Sequence, residues 1–311
     1  MKILITGGAG YIGTELTHQL CKDPNIEEII IYDNLARKNY NLFITANKMN
    51  DKIKVVDAEI LDSRTLKKYV NQVDVVYHLA AKVTTPYSDQ DPHLFEQTNH
   101  WGTAELVYAV EDSNVEKLIF TSSISVYGSS DHFFDVGDEL NPRTFYAISK
   151  MRAEKQIERI AQKLQVYNFR LGNVYGYSPS VRFDAVINRF MLNAHFKNNI
   201  DVHGDGKQKR AFVHIQNTVR ALHNALYEID PGTYNLVGRN IQISEIVNDL
   251  KKLYPDLETQ FINQHLTLRS LSVKGSESIT SKHWWDNDPL IDEMKEFQAN
   301  FAFSKNASVL A

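Results

Sequence analysis

The chain carries a single cysteine, Cys21, so it can form no internal disulfide and has no cysteine cluster for zinc. No apolar run is long enough to cross a bilayer, and a strand-like stretch starting at residue 2 leads us to expect no signal peptide. Neither sign of charge dominates: 34 Lys and Arg are interspersed with 38 Asp and Glu, a net −4. This argues against a nucleic-acid or membrane partner, and an anionic ligand would need a local basic cluster. Proline is sparse, eight in 311 residues, and neither a repeat nor a low-complexity linker divides the chain. What remains is 43% hydrophobic, enough for one large or two smaller domains with a sizeable core. The expectation is a soluble cytoplasmic protein without a metal centre.

Glycine is also scarce, fourteen in all, yet Gly7, Gly8, Gly10 and Gly13 fall within one short stretch. Lys2–Thr6 before them reads as a buried strand, and Ile12, Leu16 and Leu20 mark one face of a helix after them. A strand, a glycine turn and a helix N-terminus form an anion site, where backbone N–H groups and the helix dipole face a pyrophosphate. Asp33 ends the next strand, Ile29–Asp33, twenty residues after Gly13. At that spacing a carboxylate accepts hydrogen bonds from the adenosine ribose of NAD and repels a 2′-phosphate. Arg37 and Lys38 stand close enough to soften the preference for NAD over NADP.

Ile53–Val56, Val73–Leu79, Leu118–Thr121 and Val166–Leu171 read as further buried strands, separated by helical segments such as Asn99–Glu111 and Ala147–Leu164. This alternation predicts an α/β fold with a doubly wound, Rossmann-type parallel sheet. After residue 170 the pattern loosens. Residues 1–170 read as a dinucleotide-binding domain and 171–311 as mainly a smaller α/β substrate lobe. Residues 211–228 are expected to pack back onto the first domain. The tail 297–311 shows no interpretable pattern.

Tyr146 and Lys150 stand four apart, which puts both on one face of a helix. A phenol titrates near 10 in water, and a fixed ammonium nearby would stabilise the phenolate as a base. The run Leu118–Gly128 carries a strand straight into Thr121, Ser122 and Ser123. A serine at the carboxyl end of a parallel strand faces the crevice where ligands bind, and can hydrogen-bond a carbinol oxygen there.

With these segments the chain resembles the extended short-chain dehydrogenase/reductase family of NAD-dependent sugar-nucleotide epimerases and dehydratases, over nearly its whole length. The resemblance rests on Thr6–Gly13, His78-Leu-Ala-Ala81, Asn99, Ser123 with Val126-Tyr-Gly128, and the Tyr146/Lys150 pair. It rests also on Arg170–Gly176 and Arg210–His214. It implies that Ser123, Tyr146 and Lys150 are catalytic. It implies a cofactor site of Gly7, Gly10, Tyr11, Ile12, Gly13, Asp33, Asn34, Glu59, Ile60, Leu79, Ala80, Ala81 and Asn99, with Tyr146 and Lys150. Asn173, Arg182, Arg210 and Arg269 would meet a nucleotide sugar. The family usually has Asp where Glu59 and Ala211 stand. The resemblance also implies a homodimer paired through Asn99–Glu111 and Ala147–Leu164, with Val107, Ile157 and Ile160 available for apolar contact or, equally simply, for the subunit's own core.

Absent residues narrow the chemistry. The family's 4,6-dehydratases place an Asp-Glu pair after the catalytic hydroxyl, because eliminating water needs an acid and a base at neighbouring carbons. Here Ile124 and Ser125 follow Ser123, and neither transfers that proton. The decarboxylases of the family typically carry Glu near this serine, where Ile124 stands. A cysteine acid is excluded, since Cys21 lies on the far side of the first helix. Redox at one sugar carbinol remains, most often used for 4-epimerisation by oxidation and re-reduction. A reductase or dehydrogenase with net cofactor turnover would use the same residues.

Overall fold

Apolar runs such as Lys2–Thr6, Glu28–Asp33 and Val75–His78 have no polar face to offer solvent, so they stack as a sheet covered on both sides. The computed structural model describes residues 1–44, 51–83, 91–130, 132–263, 268 and 270–301. Its strands are β1 (Lys2–Thr6), β2 (Glu28–Asp33), β3 (Ile53–Asp57), β4 (Val75–His78), β5 (Lys117–Ser123), β6 (Phe133–Phe134), β7 (Gln165–Leu171), β8 (Asn173–Tyr175), β9 (Asn199–His203), β10 (Lys209–His214), β11 (Gly232–Leu236), β12 (Arg239–Gln242), β13 (Glu258–Ile262) and β14 (Ser272–Val273). Its α-helices are α1 (Tyr11–Cys21), α2 (Ser63–Val70), α3 (Pro92–Phe95), α4 (Gly102–Glu111), α5 (Phe145–Glu158), α6 (Val186–Lys197), α7 (Ile215–Asn224), α8 (Ile243–Leu253), α9 (Glu277–Thr280) and α10 (Leu290–Ala299).

Seven strands form one sheet in the order β11-β7-β5-β4-β1-β2-β3. Every neighbouring pair in it is parallel. The expected doubly wound α/β fold is therefore present. Strand order reverses between β1 and β4, which opens a crevice at their carboxyl ends. One sheet face packs Ile3, Ile5 and Ile29 against Leu16 and Leu20 of α1 and Val219 and Leu222 of α7. The other packs Leu4, Ile30 and Phe120 against Leu66, Leu106, Val107 and Ile157 of α2, α4 and α5.

Residues 211–228 divide between two places. Helix α7 lies on the large sheet, where the Tyr77 hydroxyl donates to Leu222 O at 3.0 Å. Strand β10 instead centres a small sheet, β12-β10-β8. The large sheet also takes its last strand, β11, from residues beyond 170. A separate core of α6, α8 and α10 residues, including Phe190, Met191, Ile246, Leu250 and Met294, underlies the smaller sheets. The segment after α5 shortens the expected helix: it ends at Glu158 and continues as turns before β7. Asn99 falls in a π-helical segment, Glu96–Trp101, that runs directly into α4.

Candidate active site

The glycine turn is forced by contact. Gly7 holds φ at +73°, and a Cβ there would stand 2.6 Å from Ala80 N. A Cβ on Gly13 would stand 2.6 Å from Gly7 O, so α1 could not start so close to the turn. Asp33 closes the arrangement: its carboxylate accepts from Ala9 N at 3.0 Å and from Leu35 N at 2.9 Å. Burial pushes this carboxyl up, against the pull of those two bonds. At the rim, Asn34 Nδ2 donates to both Glu59 oxygens, at 3.0 and 2.9 Å.

A cleft of about 940 Å³ runs from this turn to the Tyr146 helix. Gly7, Gly10, Tyr11, Ile12, Gly13, Asp33, Asn34, Glu59, Ile60, Leu79, Ala80 and Ala81 line it at one end. Ser123, Tyr146, Lys150, Asn173, Arg182 and Arg210 line it further along. Asn99 stands behind the wall instead. It is buried, bonds Lys82 N and O at 2.7 and 2.9 Å, and donates to Ser149 Oγ at 2.9 Å, so it braces the segment after β4. Arg269 lies outside the described residues. Arg170 does not reach the cleft either; it is spent on a buried pair with Glu154.

Helix α5 begins with Thr144, whose hydroxyl accepts from Ala147 N at 3.1 Å. This cap fixes the first turn, and with it Tyr146. Tyr146 and Lys150 share the cleft-facing side, but Lys150 is engaged elsewhere: its Nζ donates to Thr121 O at 2.8 Å. Burial pushes the Lys150 ammonium down to about 7, partly offset by the charge of Glu154. The Tyr146 phenol is pushed up by burial, while its hydrogen bond with Ser123 and the charge of Arg182 pull it back. Within the protein alone, desolvation outweighs those two pulls. A cationic ring in the cleft would add the missing positive charge.

Beneath the cleft, His78 is fully buried between two hydroxyls, Thr6 Oγ1 at 2.7 Å and Thr103 Oγ1 at 2.8 Å. Burial, with a smaller push from Lys150, lowers it to about 3, so it stays neutral. At the far end, loops close over α1: Asn41 Nδ2 donates to Pro179 O at 2.5 Å and Thr14 Oγ1 to Ser180 Oγ at 2.7 Å. Arg182 Nε pairs with Asp184 at 2.6 Å. Burial lowers the pKa of Arg210. Sequence reasoning passed over Ser125, which reaches Ser123 and lines the cleft. The Ser-x-Ser spacing at a strand end was the available signal.

The sequence model of the NAD-dependent epimerase/dehydratase family matches residues 3–237. A dTDP-D-glucose 4,6-dehydratase of Mus musculus is 30% identical, covering 98% of this chain and 91% of its own. A UDP-N-acetyl-alpha-D-glucosaminuronate decarboxylase of Bacillus cytotoxicus is 31% identical over 81% of this chain and 80% of its own. Among solved structures, a UDP-glucuronic acid 4-epimerase of Bacillus cereus, bound to UDP-glucuronic acid and NAD, superposes with a TM-score of 0.85. It is 24% identical and covers 96% of this chain and 98% of its own. The chain belongs to the NAD-dependent epimerase/dehydratase family, and NAD is that family's cofactor. The residues present fit the group. Bare glycines make room for a pyrophosphate, and Asp33 keeps lone pairs for ribose hydroxyls. Among the described residues, no cluster of His, Cys, Asp or Glu could hold a metal ion, and no helix is long and apolar enough to cross a membrane.

Proposed function

We propose that this protein is a nucleotide-sugar 4-epimerase that oxidises and re-reduces one sugar carbinol. One observation carries this reading: Ser123 and Tyr146 meet in the cleft beside Lys150, while buried Ile124 and neutral Ser125 provide no acid–base pair for elimination. The dehydratase relatives therefore support the scaffold more than the reaction. The 4-epimerase neighbours, crystallised with UDP-sugars, support uridine nucleotides as the first to test.

NAD, when bound, supplies a hydride acceptor that can give the hydride back. The glycine turn and the α1 N-terminus would hold its pyrophosphate, and Asp33, Asn34 and Glu59 its adenosine half. Tyr146, as phenolate, takes the proton from the carbinol O–H and later returns it. Lys150 supports the phenolate electrostatically and would bind the nicotinamide ribose. Ser123 donates a hydrogen bond to the reacting oxygen. Arg210 grips the substrate diphosphate bidentately while the sugar turns over between its two faces. Asn173 and Arg182 border the sugar. The two-lobe division near residue 170, a homodimer and a cytoplasmic location complete this reading.

The test is incubation with UDP-glucose, UDP-galactose, UDP-glucuronic acid and UDP-N-acetylglucosamine, with products separated by chromatography and NAD quantified on the purified protein. Interconversion of C4 epimers without added cofactor is expected. Stoichiometric consumption of NADH with no epimer would replace the epimerase with a reductase.

A further inference from the structure

The loop of residues 176–182 leaves β8 and ends at Arg182, which lines the cleft ahead of α6. Its first residue is a forced glycine: Gly176 holds φ at +111°, and a Cβ there would collide with the His214 ring. Asn188, in the first turn of α6, is completely buried. Its Oδ1 accepts from Gly176 N at 3.0 Å, and its Nδ2 donates to Arg182 O at 3.1 Å. An N–H on one side and a carbonyl on the other allow the amide only this orientation. One side chain thus fastens both ends of the loop. The same Nδ2 lies 3.4 Å from Tyr11 Oη, which itself donates to Gly176 O at 2.6 Å. Tyr11 opens α1 directly after the glycine turn, so the loop is seated on the element that faces the pyrophosphate site.

We propose that Asn188 is a positioning residue for the substrate: by holding the backbone at Gly176 and Arg182, it sets where the Arg182 side chain meets the sugar. This rests on the assignment of Arg182 to the sugar end of the cleft. No bond is made or broken at Asn188. Without its amide, Gly176 N and Arg182 O each lose a buried partner, and the loop must shift to satisfy them. A shift on the order of an ångström is enough to spoil the aim of a binding group.

Two measurements on NAD-loaded protein test this. The first is hydrogen exchange read by mass spectrometry, with no sugar present. Asn188→Ala should speed exchange across residues 176–182 about tenfold and leave α5 protected. Asn188→Asp, which keeps an acceptor for Gly176 N, should loosen the loop less. The second is calorimetry with UDP and UDP-glucose in a Tyr146→Phe background, where the sugar is not turned over. Asn188→Ala should weaken UDP-glucose about tenfold and leave UDP, gripped by Arg210, bound as before. In an Arg182→Ala background it should cost UDP-glucose nothing further. Unchanged exchange in the loop would overturn the proposal. So would equal weakening of both probes, the mark of a general structural loss, or a weakening that persists in full without the Arg182 side chain. A wild type that binds neither probe would count against the uridine-sugar reading, and the exchange result would still uphold or overturn the hold of Asn188 on the loop.

Discussion

At the scale of single residues, the site separates groups that perform chemistry from groups that hold them. Tyr146→Phe removes the proton acceptor and keeps the ring against Phe95, whose centroid lies 6.2 Å away. Folding and NAD content should survive while turnover falls ~100- to 10,000-fold, the usual cost of losing a positioned general base. Undiminished turnover would rule the mechanism out. Lys150→Met should impair turnover and also loosen the cofactor, seen as NAD lost on gel filtration. Asp33 sets the other end: fluorescence titration should find NADH bound more tightly than NADPH, and equal affinities would mean that Arg37 overrides it. Most of these residues were legible because backbone geometry dictates them: glycines forced by contact, an acid at a strand end, a four-residue helical spacing. Ser125 was not, because its part depends on one hydroxyl pointing at another. The burial of the Tyr146 phenol was not legible either, for a related reason. Sequence shows which charge stands nearby, but not how much water has been removed.

At the scale of elements, α5 delivers Tyr146 and Lys150 together, so its seat on the sheet matters. Glu154, one turn beyond Lys150, is 1% exposed and receives Arg170 Nη2 at 2.8 Å and Nε at 3.1 and 3.2 Å. The same guanidinium donates to Tyr127 Oη at 2.8 Å, tying the helix to β7 and to the turn after Ser123. Removing one partner of a buried pair strands the other, at a cost of about 3–5 kcal/mol. Glu154→Ala should therefore lower the unfolding free energy by that much, read as a lower urea midpoint with an unchanged slope. A loss below about 1 kcal/mol would show that the pair is not an anchor. The alternation of buried strands and helices was legible because apolar periodicity survives in the sequence. The π segment holding Asn99 was not, since one widened turn inside a helix leaves the apolar spacing of the sequence unmarked. The membership of β11 in the large sheet was equally hidden, because pairing between residues as distant as Tyr167 and Gly232 leaves no local mark.

At the scale of the whole molecule, His78 links the fold to pH. Its folded pKa of about 3 lies below the 6.5 of an unfolded histidine. Its contribution is thus complete above pH 6.5 and is lost as pH falls from there toward 3. Between pH 7 and pH 5 the loss should approach about 2 kcal/mol. His78→Gln should flatten that part of the stability curve, measured by urea unfolding at both pH values, and an unaltered slope would contradict it. Assembly is the second question at this scale. Val107, Ile157 and Ile160, named as contacts between subunits or within the core, are all buried in the subunit's own core. A dimer through these helices must use their outer side. There Trp101 and Tyr108, seven residues apart on one face, are each 54% exposed, and the Arg159 guanidinium lies 4.7 Å from the Tyr108 ring centre. Arg159 and Lys163 also share Glu111, at 3.3 and 3.2 Å, so the apolar pair is bordered by charge. An aromatic centre with a charged rim is the composition that an interface through this face would have. Light scattering at micromolar concentration should report a dimer. Trp101→Glu with Tyr108→Glu should convert it to a monomer that still retains NAD, because neither residue lines the cleft. A wild type that is monomeric, or a double variant that remains dimeric, would remove this face from the assembly.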